Sequence, residues 1–494
     1  MTLSAAEIDD ILRGAADSDS FSAKPRWAAD VRRLLAALPD FEFETTRGTP
    51  LGKLCAAGAR YGWRELKKKH PDLLANLSAK ARASLRRNLR SDLAQITRPC
   101  FNLEWKSFGL AMGSLGLANR KPEPKSVEKM FLGDRPSHRL LSLFKKFPVL
   151  ARLWCQLIRQ WRMHAKKVLS RFEKDRRSLS RTFFSNRPVG TIVDAQFGLS
   201  DRHHSGQTVV RFQFQGGSII YKPRSGNGEA EWFSLLASMN RRGFQPKQRV
   251  ARVLSRKSHC WMEYIDSASL KNKAAARRFY ERMGGIIAAA FLLKTVDCHR
   301  DNLIASGEHP VLVDVDALWH VSPLTRTQSS GELLYRTGFF PNADPGSLQS
   351  RSSALGPGTA GQHVPRLNGR ALKPSRYKRE MARGFARAWK CILGTSCARR
   401  GFVRQLERIR SSERRWLYGA TEAYAAIREA SLQPAALRSR QDRELLIRRR
   451  CTRDTVASSV MKAEVRALKR LDIPYFVART RQLLRAIDLR FPED

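Results

Sequence analysis

Between Thr295 and Leu318 the chain reads TVDCHRDNLIASGEHPVLVDVDAL, and five of its side chains have the types and spacing to act on a charged substrate: Asp297, His299, Asn302, Asp314 and Asp316. An Asp, a His and an Asn precede one short apolar segment, and two carboxylates close a second. Folded as a hairpin, this stretch brings carboxylates and an amide to one end. Hard cations such as Mg²⁺ prefer oxygen ligands, so the set suits a divalent metal carrying nucleotide phosphates, with one carboxylate left to orient a nucleophile. Phosphoryl transfer is the chemistry expected of it.

Two upstream segments extend the constellation. Lys222 ends the strand-like SIIYK, in the place where kinases carry the small-lobe lysine that pairs with nucleotide phosphates. The loop SDRHHSG supplies Asp201, His203 and Gly206. A glycine there lets backbone amides approach phosphate oxygens, and a His beside an Asp can donate to an anion or carry a proton. Glu229 and Glu231, in the helix expected after Lys222, could hold that lysine. A solvated helix face explains them equally well, and they stay outside the candidate site.

The elements that must position these residues follow from periodicity. Residues 1 to about 185 carry apolar residues at helical spacing, with Leu150, Leu153, Leu157 and Trp161 on one face of a basic helix expected to pack on a core. From about Thr191, TIVDAQFGL, QTVVRFQFQ and SIIYK are β-branched and aromatic, and Gly216-Gly217 marks a hairpin turn. A helix at EAEWFSLLASMNRR, strands around RVARVL and CWMEYI, and a long helix interrupted at Gly284-Gly285 lead into the opening motif. The order predicts an α+β, two-lobed kinase-like fold with large helical additions at both ends. Its parts are a helical region over 1–185, a small lobe over 186–265 and a helical large lobe over 266–494, with a polar covering loop at 319–374.

Several motifs in this order resemble the dehydratase domain of class II lanthipeptide synthetases. SDRHHSGQTVVRFQFQGGSIIYKPRS matches a D-x-H-x-x-G loop and a YKPRS strand, and TVDCHRDNLIASGEHPVLVDVDAL matches a D-x-H-x-x-N loop with a closing acidic pair. YRTGFFP, SSALG, the GF within ARGFARAW and MKAEVRALKRLDIPYF follow in the family's order, so the resemblance spans roughly residues 190 to 480. It implies a lipid-kinase-like fold and dehydration of Ser and Thr in a ribosomal precursor peptide, by phosphorylation from ATP and then elimination of phosphate in the same cleft. By the same resemblance Lys222 would contact nucleotide phosphates and Asp297 would orient or deprotonate the substrate hydroxyl. His299 would support that loop, Asn302, Asp314 and Asp316 would hold Mg²⁺, Asp201 and His203 would serve the phosphate loop and the elimination, and Gly206 would help bind the nucleotide. The family's Arg and Thr, six residues apart on a late helical segment, fall on Arg415 and Thr421. Gly419 replaces a second Arg of that pattern, Gln207 stands where an Arg usually follows the first loop, and Asp316 replaces the commoner Glu.

Composition bounds the rest. A chain of 494 residues with 42% hydrophobic content buries a large core and is no disordered tail. Lys and Arg number 91 against 45 Asp and Glu, a net +46, so an acidic partner is expected. The resemblance favours an acidic leader on the precursor peptide. A kinase that never eliminates, and a degenerate kinase fold binding nucleic acid or another partner, remain the alternatives. Eight scattered cysteines without CxxC pairs, and an N-terminus without a signal-peptide core, predict a reduced, cytoplasmic protein. The run Ile286 to Leu293 is too short to span a bilayer. No His/Cys set suits zinc, so ring closure is expected to fall to a separate cyclase.

Overall fold

The computed structural model describes residues 5–15, 26–38, 49–114, 124–133, 136–320, 330–341, 352–356, 360–453 and 456–478. The fold is α+β, mostly helical with small antiparallel sheets. Its contacts divide the chain into two compact units. One comprises Met1–Arg177, Arg187–Ser218 and Tyr418–Pro474, and the other Ser178–Asn186, Ile219–Leu417 and Tyr475–Asp494. Among the described residues no helix is long and apolar enough to cross a membrane.

The first unit is built on long helices. Pro50–Lys69 starts on Thr49, whose side chain accepts from Gly52 N, and it packs against Ala79–Ser114. Leu150, Leu153, Leu157 and Trp161 are all buried, so the apolar face of the basic helix packs into the core as its spacing predicts. Trp154 lies wholly inside and donates its indole N–H to Thr97 Oγ1 at 2.8 Å. Strand Asp194–Gln196 pairs antiparallel with Val210–Phe214, whose Val210, Phe212 and Phe214 alternate inward. Helices Thr421–Ala430, Arg440–Cys451 and Ser458–Lys469 enclose a smaller core of Tyr424, Ile447, Cys451, Val465, Leu468 and Ile473. Arg443 is buried there, and among the described residues no carboxylate bonds it. It donates instead to the carbonyls of Ser431, Leu468 and Lys469, which lie past or at helix ends, so one guanidinium satisfies acceptors that end-of-helix geometry leaves open.

The second unit carries the chemistry-bearing elements. Strand Gly217–Lys222 pairs with Cys260–Glu263, placing Lys222 opposite Cys260, and Cys260–Glu263 pairs in turn with Val253–Ser255. Helix Asn227–Arg241 contributes Trp232, Phe233, Leu235 and Leu236 to a core shared with helix Lys273–Leu292. The latter helix, capped by Asn272, is unbroken, contrary to the interruption expected at Gly284-Gly285. The glycines serve packing instead. A Cβ on Gly284 would stand 2.0 Å from Met381 O, and one on Gly384 1.8 Å from Glu281 O, so helices Lys273–Leu292 and Lys378–Leu393 meet backbone to backbone. Strands Leu303–Ser306 and His309–Leu312 form the anticipated hairpin, turning at Gly307 with φ +59°. The second strand stops at Leu312, and Asp314 and Asp316 lie on the extended chain just beyond it. Within 319–374, residues 321–329, 342–351 and 357–359 lie outside the described residues. The remainder is more than a plain loop, with helix Ser330–Arg336 and a small hairpin of Arg366–Leu367 with Arg370–Ala371.

Candidate functional site

Lys222 points inward at the end of its strand and spends all three of its protons. Nζ donates to Glu229 Oε1 at 2.8 Å, to Asp314 Oδ1 at 2.8 Å and to Val313 O at 2.5 Å. Glu229 reaches the lysine from the first turn of Asn227–Arg241. That turn lies against the extended chain, for a Cβ on Gly228 would stand 2.4 Å from Val315 O. Glu229 is wholly buried, and burial alone would raise its pKa. Arg224 and Lys222 outweigh burial and hold it down at about 2. Asp314, only partly buried between the same two cations, is likewise held well below the carboxylate range. Burial opposes the charge on Lys222, yet Asp314 and Glu229 raise its pKa above the ordinary lysine value. Glu231 faces away and pairs with Arg408 at 2.8 Å. The two glutamates left open by sequence are thereby distinguished. Glu229→Ala strands two buried cations and is expected to cost about 3–5 kcal/mol. Glu231→Ala breaks a half-exposed pair and one bond from Gln405, and should cost only about 1 kcal/mol; urea unfolding of the two variants compares them.

Asp297 stands on the loop after helix Lys273–Leu292 in a left-handed conformation, φ +68°, which is costly for a residue with a Cβ. The surroundings hold it there. Val296 N donates to Ala317 O at 3.1 Å, Cys298 N to Thr337 O at 2.8 Å, and Asn302 Nδ2 to Asp297 O at 2.8 Å. His299 Nδ1 accepts from Asp301 N at 3.2 Å, and its Nε2 lies 3.4 Å from Asp297 Oδ1 and 3.3 Å from Asn302 Nδ2. Burial pushes the Asp297 carboxyl up to about 6, against the lowering effects of His299 and Arg415.

Arg415 reaches the same carboxylate, with Nη1 3.2 Å from Asp297 Oδ2. Its backbone N donates to Asp316 O at 3.0 Å. The residue is on strand Arg414–Trp416, paired antiparallel with Phe476–Ala478, and not on a helix as expected. Thr421 is the first residue of helix Thr421–Ala430 and belongs to the other unit. Tyr475 lies under the Arg415 guanidinium, 5.3 Å from ring centroid to Cζ, and donates its hydroxyl to Asp316 Oδ2 at 3.1 Å. Tyr475 and Arg224 were not among the residues singled out from sequence, although both lie in quoted motifs, DIPYF and YKPRS.

The second unit thus brings together Lys222, Asp297, His299, Asn302, Asp314, Asp316 and Arg415. For a divalent cation the fit is an oxygen donor set at the open end of the hairpin, where Val313 N donates to Asn302 O at 2.9 Å. The ion pairs use Asp314 Oδ1 and Asp316 Oδ2, and the Asn302 amide donates through Nδ2. Asp314 Oδ2, Asp316 Oδ1 and Asn302 Oδ1 are not among the atoms so engaged. Among the described residues no three His, Cys, Asp or Glu side chains form a ready metal cluster. Two carboxylates and an amide suit an ion that completes its shell with water and phosphate oxygens, as Mg²⁺ does.

Asp201, His203 and Gly206 belong to the first unit, where the C-terminal helices anchor their loop. Asp201 pairs with Arg428 at 3.5 Å, and Arg428 is on the helix that Thr421 begins. His203 donates from Nδ1 to Ile473 O at 2.8 Å, and Ile473 N returns a bond to Arg202 O. Ser205 N and Gly206 N, the amides expected to face phosphate, donate to Asp472 at 2.7 and 2.8 Å. Gly206 has left-handed geometry, φ +84°, and its N–H is spent on a carboxylate of the chain itself.

Comparison with known proteins adds two findings. Residues 147–362 and 342–479 match a family model described as a domain of unknown function, DUF4135. The lacticin 481/lactococcin biosynthesis protein LcnDR2 of Lactococcus lactis subsp. lactis is 23% identical over 323 residues, 55% of this chain and 34% of that protein. The chain aligns with about a third of the length of this curated relative.

Proposed function

The chain belongs to the DUF4135 family, and we propose that it dehydrates Ser and Thr residues of a ribosomal precursor peptide, by phosphorylation from ATP followed by elimination of phosphate. The observation that carries this reading is the ion-paired cluster of buried Lys222 and Glu229 with Asp314, beside an Asp297 whose carboxyl is pushed up to about 6. A lysine held by a helix glutamate, an acidic pair after a hairpin and a separate loop aspartate supply the parts that phosphoryl transfer needs. Their order along the chain supports a kinase-like catalytic core.

In this reading Lys222 takes phosphate oxygens of the nucleotide, exchanging contacts with Asp314 for them. Asp297 accepts the proton of the substrate hydroxyl as that oxygen bonds to the γ-phosphorus and the bond to the ADP oxygen breaks. His299 and Asn302 hold the Asp297 loop in its strained form. Asn302, Asp314 and Asp316 would hold Mg²⁺, which when bound neutralises charge on the phosphates. For elimination, Arg415 grips the new phosphoester through parallel hydrogen bonds; the α-proton passes to a solvent base, the C–H electrons form the Cα=Cβ bond, and the Cβ–O electrons leave on the released inorganic phosphate. Roles in elimination for Asp201, His203 and Thr421 rest on the resemblance alone, while Gly206 shapes the loop that carries His203. The high positive charge suits an acidic leader segment on the peptide.

Incubation with a cognate peptide, ATP and Mg²⁺ tests the reading. Loss of one water per modified residue, seen by mass spectrometry, is the expected result. A kinase without elimination is the second reading, favoured by Gly419 and Gln207, where the resemblance calls for arginines. Phosphate added and never lost would establish it, and an unmodified peptide with no ATP consumed would exclude both.

A further inference from the structure

We propose that Arg224 makes divalent metal binding at the Asp314–Asp316 pair conditional on nucleotide, a role that rests on the phosphoryl-transfer reading above. The guanidinium is 15% exposed and has an acceptor near each of its five N–H groups. Nη1 donates to Ser225 O at 3.1 Å and to Glu229 Oε2 at 2.9 Å. Nη2 donates to Glu229 Oε1 at 2.5 Å and to Asp314 Oδ1, and Nε lies 3.1 Å from Asp316 Oδ2. One side chain therefore joins both metal-ligand candidates to the wholly buried Glu229.

Charge counting gives the consequence. Four carboxylates, Glu229, Asp297, Asp314 and Asp316, face three cations, Lys222, Arg224 and Arg415. The cluster is already close to neutral, and a bare divalent ion meets the repulsion of a guanidinium touching the same two aspartates. A nucleotide triphosphate reverses the balance. Its oxygens offer Lys222 and Arg224 new acceptors and give the incoming ion further ligands. A purely structural arginine would hold the carboxylates together without making metal binding depend on nucleotide.

Mn²⁺, followed by the electron paramagnetic resonance of the free ion, is the probe for the full chain. The wild type should bind Mn²⁺ weakly alone and roughly tenfold or more tighter with a non-hydrolysable ATP analogue. Arg224→Gln should bind Mn²⁺ without nucleotide at least about tenfold tighter than the wild type, because a unit positive charge beside the ion is gone. Added D314N and D316N should abolish that gain. Arg224→Lys keeps one charge with fewer contacts and should fall between, which keeps the test available should the glutamine variant not fold. Equal Mn²⁺ affinity of the wild type with and without nucleotide overturns the role of Arg224 alone. Absence of Mn²⁺ binding by the wild type even with the nucleotide analogue overturns the phosphoryl-transfer reading as well.

Discussion

Asp297→Asn is expected to lower the rate of peptide phosphorylation by about 10²–10⁴-fold while leaving nucleotide affinity nearly unchanged. The amide keeps the shape of the side chain but cannot take a proton from the substrate hydroxyl. In the wild type the same group sets the pH dependence. With the Asp297 carboxyl at about 6, the phosphorylation rate should rise with pH through that value, with a slope of one on its acid limb, and the variant should lose that limb. A stopped assay of phosphopeptide formation between about pH 5 and pH 8 measures both. Full activity in the variant would remove Asp297 from the base role.

Stability should move the other way. A carboxyl whose folded pKa lies above its ordinary 3.8 binds its proton more tightly in the folded chain. Its stabilising contribution is therefore complete below the unfolded value and is lost as pH rises through about 6. A permanently neutral amide escapes that loss, so Asp297→Asn should raise the unfolding midpoint above pH 6 and bring little gain near pH 4. The displacement from 3.8 to about 6 corresponds to roughly 3 kcal/mol, an upper bound because the amide also gives up the pairing with Arg415. Gain of stability with loss of catalysis identifies a residue held in place for chemistry.

What sequence revealed and what it hid divide along local and distant contacts. Lys222 and the acidic pair were legible because strand, turn and hairpin patterns are local, and each residue sits at a strand end or just past one. Glu229 and Glu231 could not be separated, since residues two apart on a helix face different ways and periodicity does not say which is inward. Arg415 read as helical because its strand exists only through pairing with Phe476–Ala478, far along the chain. Gly284-Gly285 read as a helix break, whereas the space at Gly284 is filled by the backbone around Gly384 and that at Gly285 by the side chains of Gln248 and Phe244. The Gly206 loop shows the same limit, for nothing near it in sequence announces that Asp472 takes its amides. Arg224 lay inside a quoted motif, and only three carboxylates, Glu229 from a helix and Asp314 and Asp316 from the stretch past the hairpin, expose its part.

Arg415→Ala should accumulate phosphopeptide, with dehydrated product reduced by about 10²–10³-fold, the usual cost of removing one donor from a developing anion. The structure adds a condition to that result. Arg415 also stands 3.2 Å from Asp297 Oδ2 and helps hold that carboxyl down, so its removal lets the Asp297 pKa climb above 6. The acid limb of phosphorylation then moves to higher pH, and near neutrality the variant slows at both steps. Assayed at about pH 8, where Asp297 is ionised again, the phosphopeptide should build up and persist. Arg415→Lys separates the two roles. A lysine restores a positive charge beside Asp297 and should return the pH limb towards the wild type, but it cannot grip phosphate with two parallel bonds, so elimination stays slow. Phosphopeptide that still converts to dehydrated product at the wild-type rate in both variants would remove Arg415 from the elimination and leave it a partner of Asp297 alone.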